Sequence, residues 1–373
     1  MTYGLAIDFG TYSLAAMVVS DQGSWLVPDP ASGEPRWRAS LHWDGERVAV
    51  GALAEQRRRA DPAGWAAASK RGLAVDAPVV LGARRFRPVE QVVELLSAVR
   101  IQAHRQHGPV PRALVTIPAD YLPGDPRRGR MIAAAEAAGF GAVELLNEAI
   151  AVLSGPVPGL RQAPGDLVLV YDFGATFEAT MVRLADGLPE VIGHQSIVDW
   201  GALGDPPAGP AALAAVEHTI ACCRDLLARL AIAPQAVSAV LTVGGGARTP
   251  GLGAALDRGL GIPMCAVEEP ELALVRGAAQ WLPRSGARTV PATATAERVV
   301  PLAFSIPGGS ATLLRWLVEP DERYGDGAAL ARVRLPGGAV WDLTARTAGL
   351  LDQVLVGAGA QVATGDWLAL AKR

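Results

Sequence analysis

Two segments of the chain end an apolar run in an aspartate followed by an aromatic residue and a glycine: AIDFG at 6–10 and VYDFG at 170–174. A buried strand ending in Asp before a glycine turn brings a carboxylate and several backbone N–H groups to one point. The N–H groups can cradle phosphate, and the carboxylate can hold a hydrated Mg²⁺. Gly244, Gly245 and Gly246 lie between an apolar run and a helical pattern, and offer a third anion or nucleoside contact. One cation also stands out. Of 34 basic side chains only Lys70 and Lys372 are lysines, so Lys70 is a compact point charge in a chain that otherwise uses arginine. Each feature has a structural alternative: a buried Asp can cap a turn, the glycines can allow strand and helix to pack closely, and Lys70 can be exposed.

The elements that must position these residues follow from periodicity. Residues 3–19 and 166–184 each read as strand, DFG turn and strand. Sliding one onto the other by 164 residues aligns Asp8, Phe9 and Gly10 with Asp172, Phe173 and Gly174, and Ala15, Met17 and Val18 with Ala179, Met181 and Val182 without a gap. This is an internal repeat of a hairpin. Helical spacing predicts helices over 88–107, 127–138, 149–154, 209–231, 249–259 and 270–281, with strands at 113–118, 142–146, 238–243 and 263–267. Asn147 and Glu148 precede the helix at 149–154. Residues 283–300, rich in Pro, Ala, Thr and Arg without a period, predict a linker. Beyond it Val318, Tyr324, Gly327 and Leu330 recur 38 residues later as Val356, Val362, Gly365 and Leu368, predicting a small all-β domain of two related halves.

Composition excludes several classes. The chain has 373 residues, half of them hydrophobic and 19% charged, which is enough to bury a real core. A net charge of −3 excludes nucleic-acid binding by bulk charge. No apolar run is long enough to span a membrane, and the N-terminus lacks the basic start of a secretory leader. Cys222, Cys223 and Cys265 form no disulfide framework, and a cytoplasmic setting is the expectation. His218, Cys222 and Cys223 share one predicted helix and are read as packing residues rather than a metal site. The arginines at 57–59 and 127–130 are read as solvated helix faces.

AIDFGTYSLAAMVV, VTIPADYL with RRGRMIAAAEAAGFGAVELLNEAIAVL, VLVYDFGATFEATMVRL, and AVLTVGGGARTPGL with EEPELALVRGAA come one after another in order. Together they resemble the phosphate, connecting and adenosine motifs of the DnaK-type heat-shock chaperone ATPases of the actin-like superfamily. VGALAEQRRRADPAGWAAASKRGL resembles the stretch before that family's catalytic lysine. The resemblance covers about residues 1–282. It implies an α/β, actin-like (ribonuclease H-like) duplicated fold that binds ATP or ADP with Mg²⁺. Asp8 and Asp172 then fall on the carboxylates that hold Mg²⁺ through water, Lys70 on the lysine at the γ-phosphate, and Glu148 on the carboxylate that orients water and metal. Gly10, Thr11 and Tyr12 would supply one phosphate jaw, and Gly174, Ala175 and Thr176 the other. Gly244, Gly245, Gly246, Arg248 and Glu271 would face the nucleoside, with Arg248 stacking on adenine.

The departures are part of the same reading. Tyr12 is bulkier than the family's usual residue, DFGATFE is one residue shorter than the family's second jaw, and Ala149 replaces a proline. Only about 65 residues separate the second jaw from Gly244, roughly half of what the family uses, which implies that the upper lobe (IIB) on that side is missing. Exchange factors that grip that lobe are therefore not expected. Residues 301–373 are too few for the family's peptide-binding region. Their repeat resembles a biotinyl/lipoyl-type hammerhead barrel, with Pro336-Gly337-Gly338 where the modified lysine would stand, so neither biotin nor lipoate is expected. The expected function is a chaperone-related protein that binds ATP, with its hydrolysis to ADP and phosphate left open, and couples nucleotide state to a protein partner, a client or its own β domain. The alternative is a scaffold that kept the fold and lost the nucleotide.

Overall fold

The computed structural model describes residues 2–160, 163–185, 189–197, 210–285, 299–345, 347–364 and 366–372. Strand alternation decides where the two aspartates point. Leu5, Ile7 and Phe9 of strand Thr2–Phe9 pack outward against helices Pro88–His107 and Pro126–Ala137. Ala6, on the opposite face, packs inward with Ala151 and Val275 of helices Glu148–Ser154 and Ala273–Ser285. In the second half Leu169, Tyr171 and Phe173 of strand Leu167–Phe173 face helices Pro210–Arg229 and Leu252–Leu260. Val168 and Val170 face inward, again onto the helix 148–154. With a side-chain period of two, Asp8 joins the face of Ala6 and Asp172 that of Val170. Both carboxylates are thus aimed at the space between the two halves.

The halves share one topology. The first sheet runs Ala142–Asn147, Arg112–Ile117, Thr2–Phe9, Ser13–Ser20, Gly23–Leu26, and the second Met264–Ala266, Val237–Val243, Leu167–Phe173, Phe177–Arg183, Glu190–Ile197. In each, the last three strands in that order are antiparallel neighbours and the first three are parallel. The halves differ beyond their antiparallel strands. The first inserts a small sheet of Ser40–Trp43, Val48–Val50 and Trp65–Ala67, then the helix that carries Lys70, before the helix 88–107. The second passes from Ile197 to the helix at Pro210 through residues outside the described set.

The gapless hairpin repeat needs one correction. Asp8 lies opposite Ala15, whereas Asp172 lies opposite Glu178. Between the paired Phe173 and Phe177 the second turn has one residue fewer than the first has between Phe9 and Leu14. The 164-residue offset therefore holds up to the turn glycine and slips by one beyond it, which exchanges the faces of the returning strand.

The predicted helices lie within a few residues of those observed; the widest shift is at the last, predicted at 270–281 and found at Ala273–Ser285. Most of the predicted linker falls outside the described residues. Residues 299–372 form two four-stranded sheets around Leu313, Leu330, Val333, Leu351 and Leu368. The repeat residues Val318, Tyr324, Leu330, Val362 and Leu368 are buried there; Gly365 lies outside the described residues. Pro336–Gly338 joins two antiparallel strands, and Lys372 lies on the final strand, paired with Asp352 at 2.6 Å. This β domain is held to the first half by Arg87, whose guanidinium donates to the carbonyls of Leu355 (2.6 Å) and Trp367 (3.3 Å). Among the described residues no helix is long and apolar enough to cross a membrane.

Candidate functional site

Between the halves lies a cleft of about 790 Å³. Its lining includes Asp8, Gly10, Thr11, Tyr12, Lys70, Glu148, Asp172, Gly174, Ala175, Thr176, Gly244, Gly245 and Glu271, all of which the sequence assigns to one site.

Lys70 is carried on a seven-residue helix, Ser69–Val75, entered through Ala68 in the left-handed region at φ 59°. A Cβ on Gly72 would stand 2.6 Å from Cγ of Pro88, so a glycine there lets this helix seat on the start of the helix 88–107. The Lys70 ammonium donates to Glu148 Oε1 at 2.7 Å, and both side chains are buried. Glu148 opens its helix directly after the N-cap Asn147, whose Oδ1 accepts from the amides of Ala149 and Ile150. A carboxylate in the first turn also gains from the helix dipole. Burial alone would lower the Lys70 ammonium, but the charge of Glu148 and that of Asp8 more than reverse this, and it is held strongly protonated.

Asp8 Oδ1 accepts from Thr116 Oγ1 at 3.0 Å. Burial, reinforced by the negative charge of Glu148, pushes the Asp8 carboxyl up to about 6. Asp172 is pushed well above the usual carboxylate range by burial and by Glu148, Asp8 and Glu178. Glu178 has no role in the sequence-based site. It lies across the ladder from Asp172, and its Oε1 accepts from Ala119 N of the first half (3.1 Å) and from Thr180 Oγ1 (3.0 Å). Burial and Glu148 lift it to about 7. A signal for it is present: alternation along FEATMV puts Glu178 and Thr180 on one face, but the face can be assigned only once the turn length is known.

Four carboxylates thus share the floor with one lysine, a donor set short of positive charge. Among the described residues no three acidic, histidine or cysteine side chains converge closely enough to ligate one ion directly. That suits a cation which keeps its own water and takes only one or two protein ligands, as Mg²⁺ does.

The glycine jaws are shaped by close approach. Gly244, at φ 82°, has Asp172 Oδ1 where a Cβ would be 2.5 Å away, so a side chain there would block the carboxylate. Gly246 is different: it is buried, and a Cβ would meet the carbonyl and ring of Phe173 at 2.6 and 2.7 Å. Its part is strand packing, and it does not line the cleft. Arg248 does not line it either; its guanidinium closes on Glu271 in a two-pronged pair of 3.0 and 2.7 Å. Tyr12 finds room under the guanidinium of Arg71, 5.4 Å from the ring centre, and Arg71 reaches the carbonyl of Ala175 at 3.5 Å on the opposite jaw.

The arginines at 127–130 are not a solvated face. Arg127 lines the cleft and binds Asp120 and Asp125, Arg128 donates to the Tyr121 carbonyl, and Arg130 to that of Leu73. Periodicity could not show this, because their acceptors lie on the preceding loop and on the Lys70 helix. Cys222 and Cys223 are buried in the core of the second half, as expected of packing residues, whereas His218 on the same helix is exposed.

The fold and the cleft define a duplicated α/β domain with an acidic site between its halves. The family model described as Hsp70 protein matches residues 65–199. The chain is also 29% identical, over 213 residues, to the Chaperone protein HscA homolog of Pseudoalteromonas atlantica, an alignment covering 50% of this chain and 33% of that protein. The chain thus spans about a third of the length of this curated relative. Both findings show that part of the chain is similar to Hsp70-type chaperone proteins.

Proposed function

We propose that this protein is a chaperone-related Mg²⁺-ATP-binding protein that hydrolyses ATP in the cleft between its halves. The observation that carries the reading is the buried Lys70–Glu148 pair set against Asp8 and Asp172 on the inner faces of two repeated hairpins. Asp8 and Asp172 would hold Mg²⁺ through its water, and the ion would neutralise charge on the phosphate oxygens. The backbone amides of Gly10, Thr11 and Tyr12 and those of Gly174, Ala175 and Thr176 would orient the phosphate chain from both sides. Lys70 would lie beside the terminal phosphate, and Glu148 would align water for in-line attack, giving ADP and inorganic phosphate. Phosphoryl transfer needs positioning and charge neutralisation more than covalent help, and these residues supply both.

In this reading the second half lacks the family's upper subdomain, since only residues 198–209 separate the strand Glu190–Ile197 from the helix Pro210–Arg229. One wall over the nucleoside is then open, nucleotide exchange is fast, and exchange factors that grip that subdomain have no purchase. The β domain at 299–372 is read as a hammerhead-type barrel without a prosthetic group, and it or a protein client receives the nucleotide signal. The relative's name, a chaperone, supports a protein partner.

The closure of Arg248 on Glu271 favours the alternative of a scaffold that has lost the nucleotide. Thermal unfolding with millimolar Mg-ATP separates the two, because a ligand bound only by the folded state raises the midpoint. An upward shift together with phosphate release supports the ATPase. No shift supports the scaffold.

A further inference from the structure

The residue that the sequence assigned to the nucleoside, Arg248, is engaged by Glu271 and stands off the cleft wall. Another guanidinium occupies the wall at that level. Arg36 begins the short strand Arg36–Arg38, which pairs with Ser13–Ala15 directly after the first phosphate turn. Its NH2 donates to Ser13 Oγ at 2.6 Å. On the far side of the cleft a Cβ added to Gly245 would lie 3.4 Å from its NH1, so the guanidinium is in contact range of the third glycine turn. Arg36 therefore spans from the first jaw to the Gly244–Gly245 turn, lines the cleft and is exposed to incoming ligand.

We infer that Arg36 is a nucleotide-binding residue of this cleft, contacting the α- and β-phosphates of a nucleoside diphosphate or triphosphate. The inference rests on the proposed ATP site. If Gly10–Tyr12 hold the outer phosphates and Gly244–Gly245 face the nucleoside, the phosphates nearest the nucleoside pass between Ser13 and Gly245, where Arg36 lies. A guanidinium suits this place because it offers five N–H donors in a rigid fork, and the Ser13 bond uses one of them. That bond also holds the side chain in the cleft before the ligand arrives, which reduces the ordering cost of binding. With one wall over the nucleoside open, a cation reaching from the first half would secure the phosphate end instead.

The test is calorimetric titration of the full chain with ADP and with adenosine, in the wild type and in the Arg36→Ala, Arg36→Lys and Arg248→Ala variants, each checked by its thermal midpoint without ligand. Arg36→Ala is expected to weaken ADP about tenfold or more while leaving adenosine unchanged. Arg36→Lys, which keeps the charge and loses the fork, should recover part of that loss. Arg248→Ala should cost less ADP affinity than Arg36→Ala. Unchanged ADP affinity in Arg36→Ala overturns the inference and leaves the ATP site standing, as does an equal loss for ADP and adenosine. A wild type that binds neither ligand overturns the ATP site itself, and this inference with it.

Discussion

Lys70 Nζ lies 2.7 Å from Glu148 Oε1, with 7% and 11% of the two side chains exposed. The pair joins the helix 69–75 to the first turn of the helix 148–154, so it is both part of the proposed chemistry and a tie between elements. Removing one partner of a buried pair strands the other charge, at a cost of about 3–5 kcal/mol, whereas removing both costs less. Lys70→Ala is therefore expected to lower the unfolding midpoint and abolish phosphate release. Lys70→Ala combined with Glu148→Ala should regain part of the stability and none of the activity. Measuring midpoint and turnover across the cycle separates the two roles, and full turnover in Lys70→Ala would contradict the site.

The sequence made the halves legible because alternation is local: LAIDF and LVLVYDF each announce which face their aspartate shares. The cleft residues Asp8 and Asp172 could be brought together without coordinates because a repeat and a family resemblance agreed on them, whereas Lys70 and Glu148 were joined to them by the resemblance alone. Glu178 was not legible, since its face depends on a turn one residue shorter than its counterpart. The pairing of Arg248 with Glu271 and the reach of Arg36 were hidden for another reason. They depend on rotamers chosen by partners 23 residues away in each case, and periodicity carries no information about such choices.

Glu90 provides a pH test outside the cleft. Its Oε2 accepts from the Arg87 amide at 2.7 Å and caps the helix 88–107, but burial pushes its carboxyl up from 4.5 to about 7. Between those values the folded chain holds a proton that the unfolded chain has released. Stability from this group is thus full below about pH 4.5 and is lost as pH rises through 7. Glu90→Gln keeps an acceptor for the cap and removes the charge. The variant is expected to match the wild type at pH 5 and exceed it at pH 8, by on the order of 2 kcal/mol. Chemical denaturation at the two pH values reads the difference, and a variant less stable at both would show that the carboxylate is held ionised.

Gly277 sets the distance between the helix 273–285 and the helix that begins at Glu148. A Cβ there would collide with the backbone carbonyl of Ala151, which no rotamer change can move. Gly277→Ala is expected to be strongly destabilising, by about 3 kcal/mol or more, through forced separation of the helices. Gly245→Ala, whose Cβ would meet nothing closer than the Arg36 guanidinium at 3.4 Å, should fold like the wild type. Comparing their denaturation midpoints checks both statements.

Arg87 joins three parts of the chain through one guanidinium. It pairs with Asp76 at 2.6 Å, where the Lys70 helix ends, and donates to the Leu355 and Trp367 carbonyls of the β domain. Arg87→Ala would leave the buried Asp76 carboxylate without this partner and free both carbonyls. Hydrogen exchange should then rise in 349–372 and in 69–76 together, because one side chain restrains both. Increased exchange in the β domain alone would show that the Lys70 helix is held by its packing on Pro88 and not by Arg87.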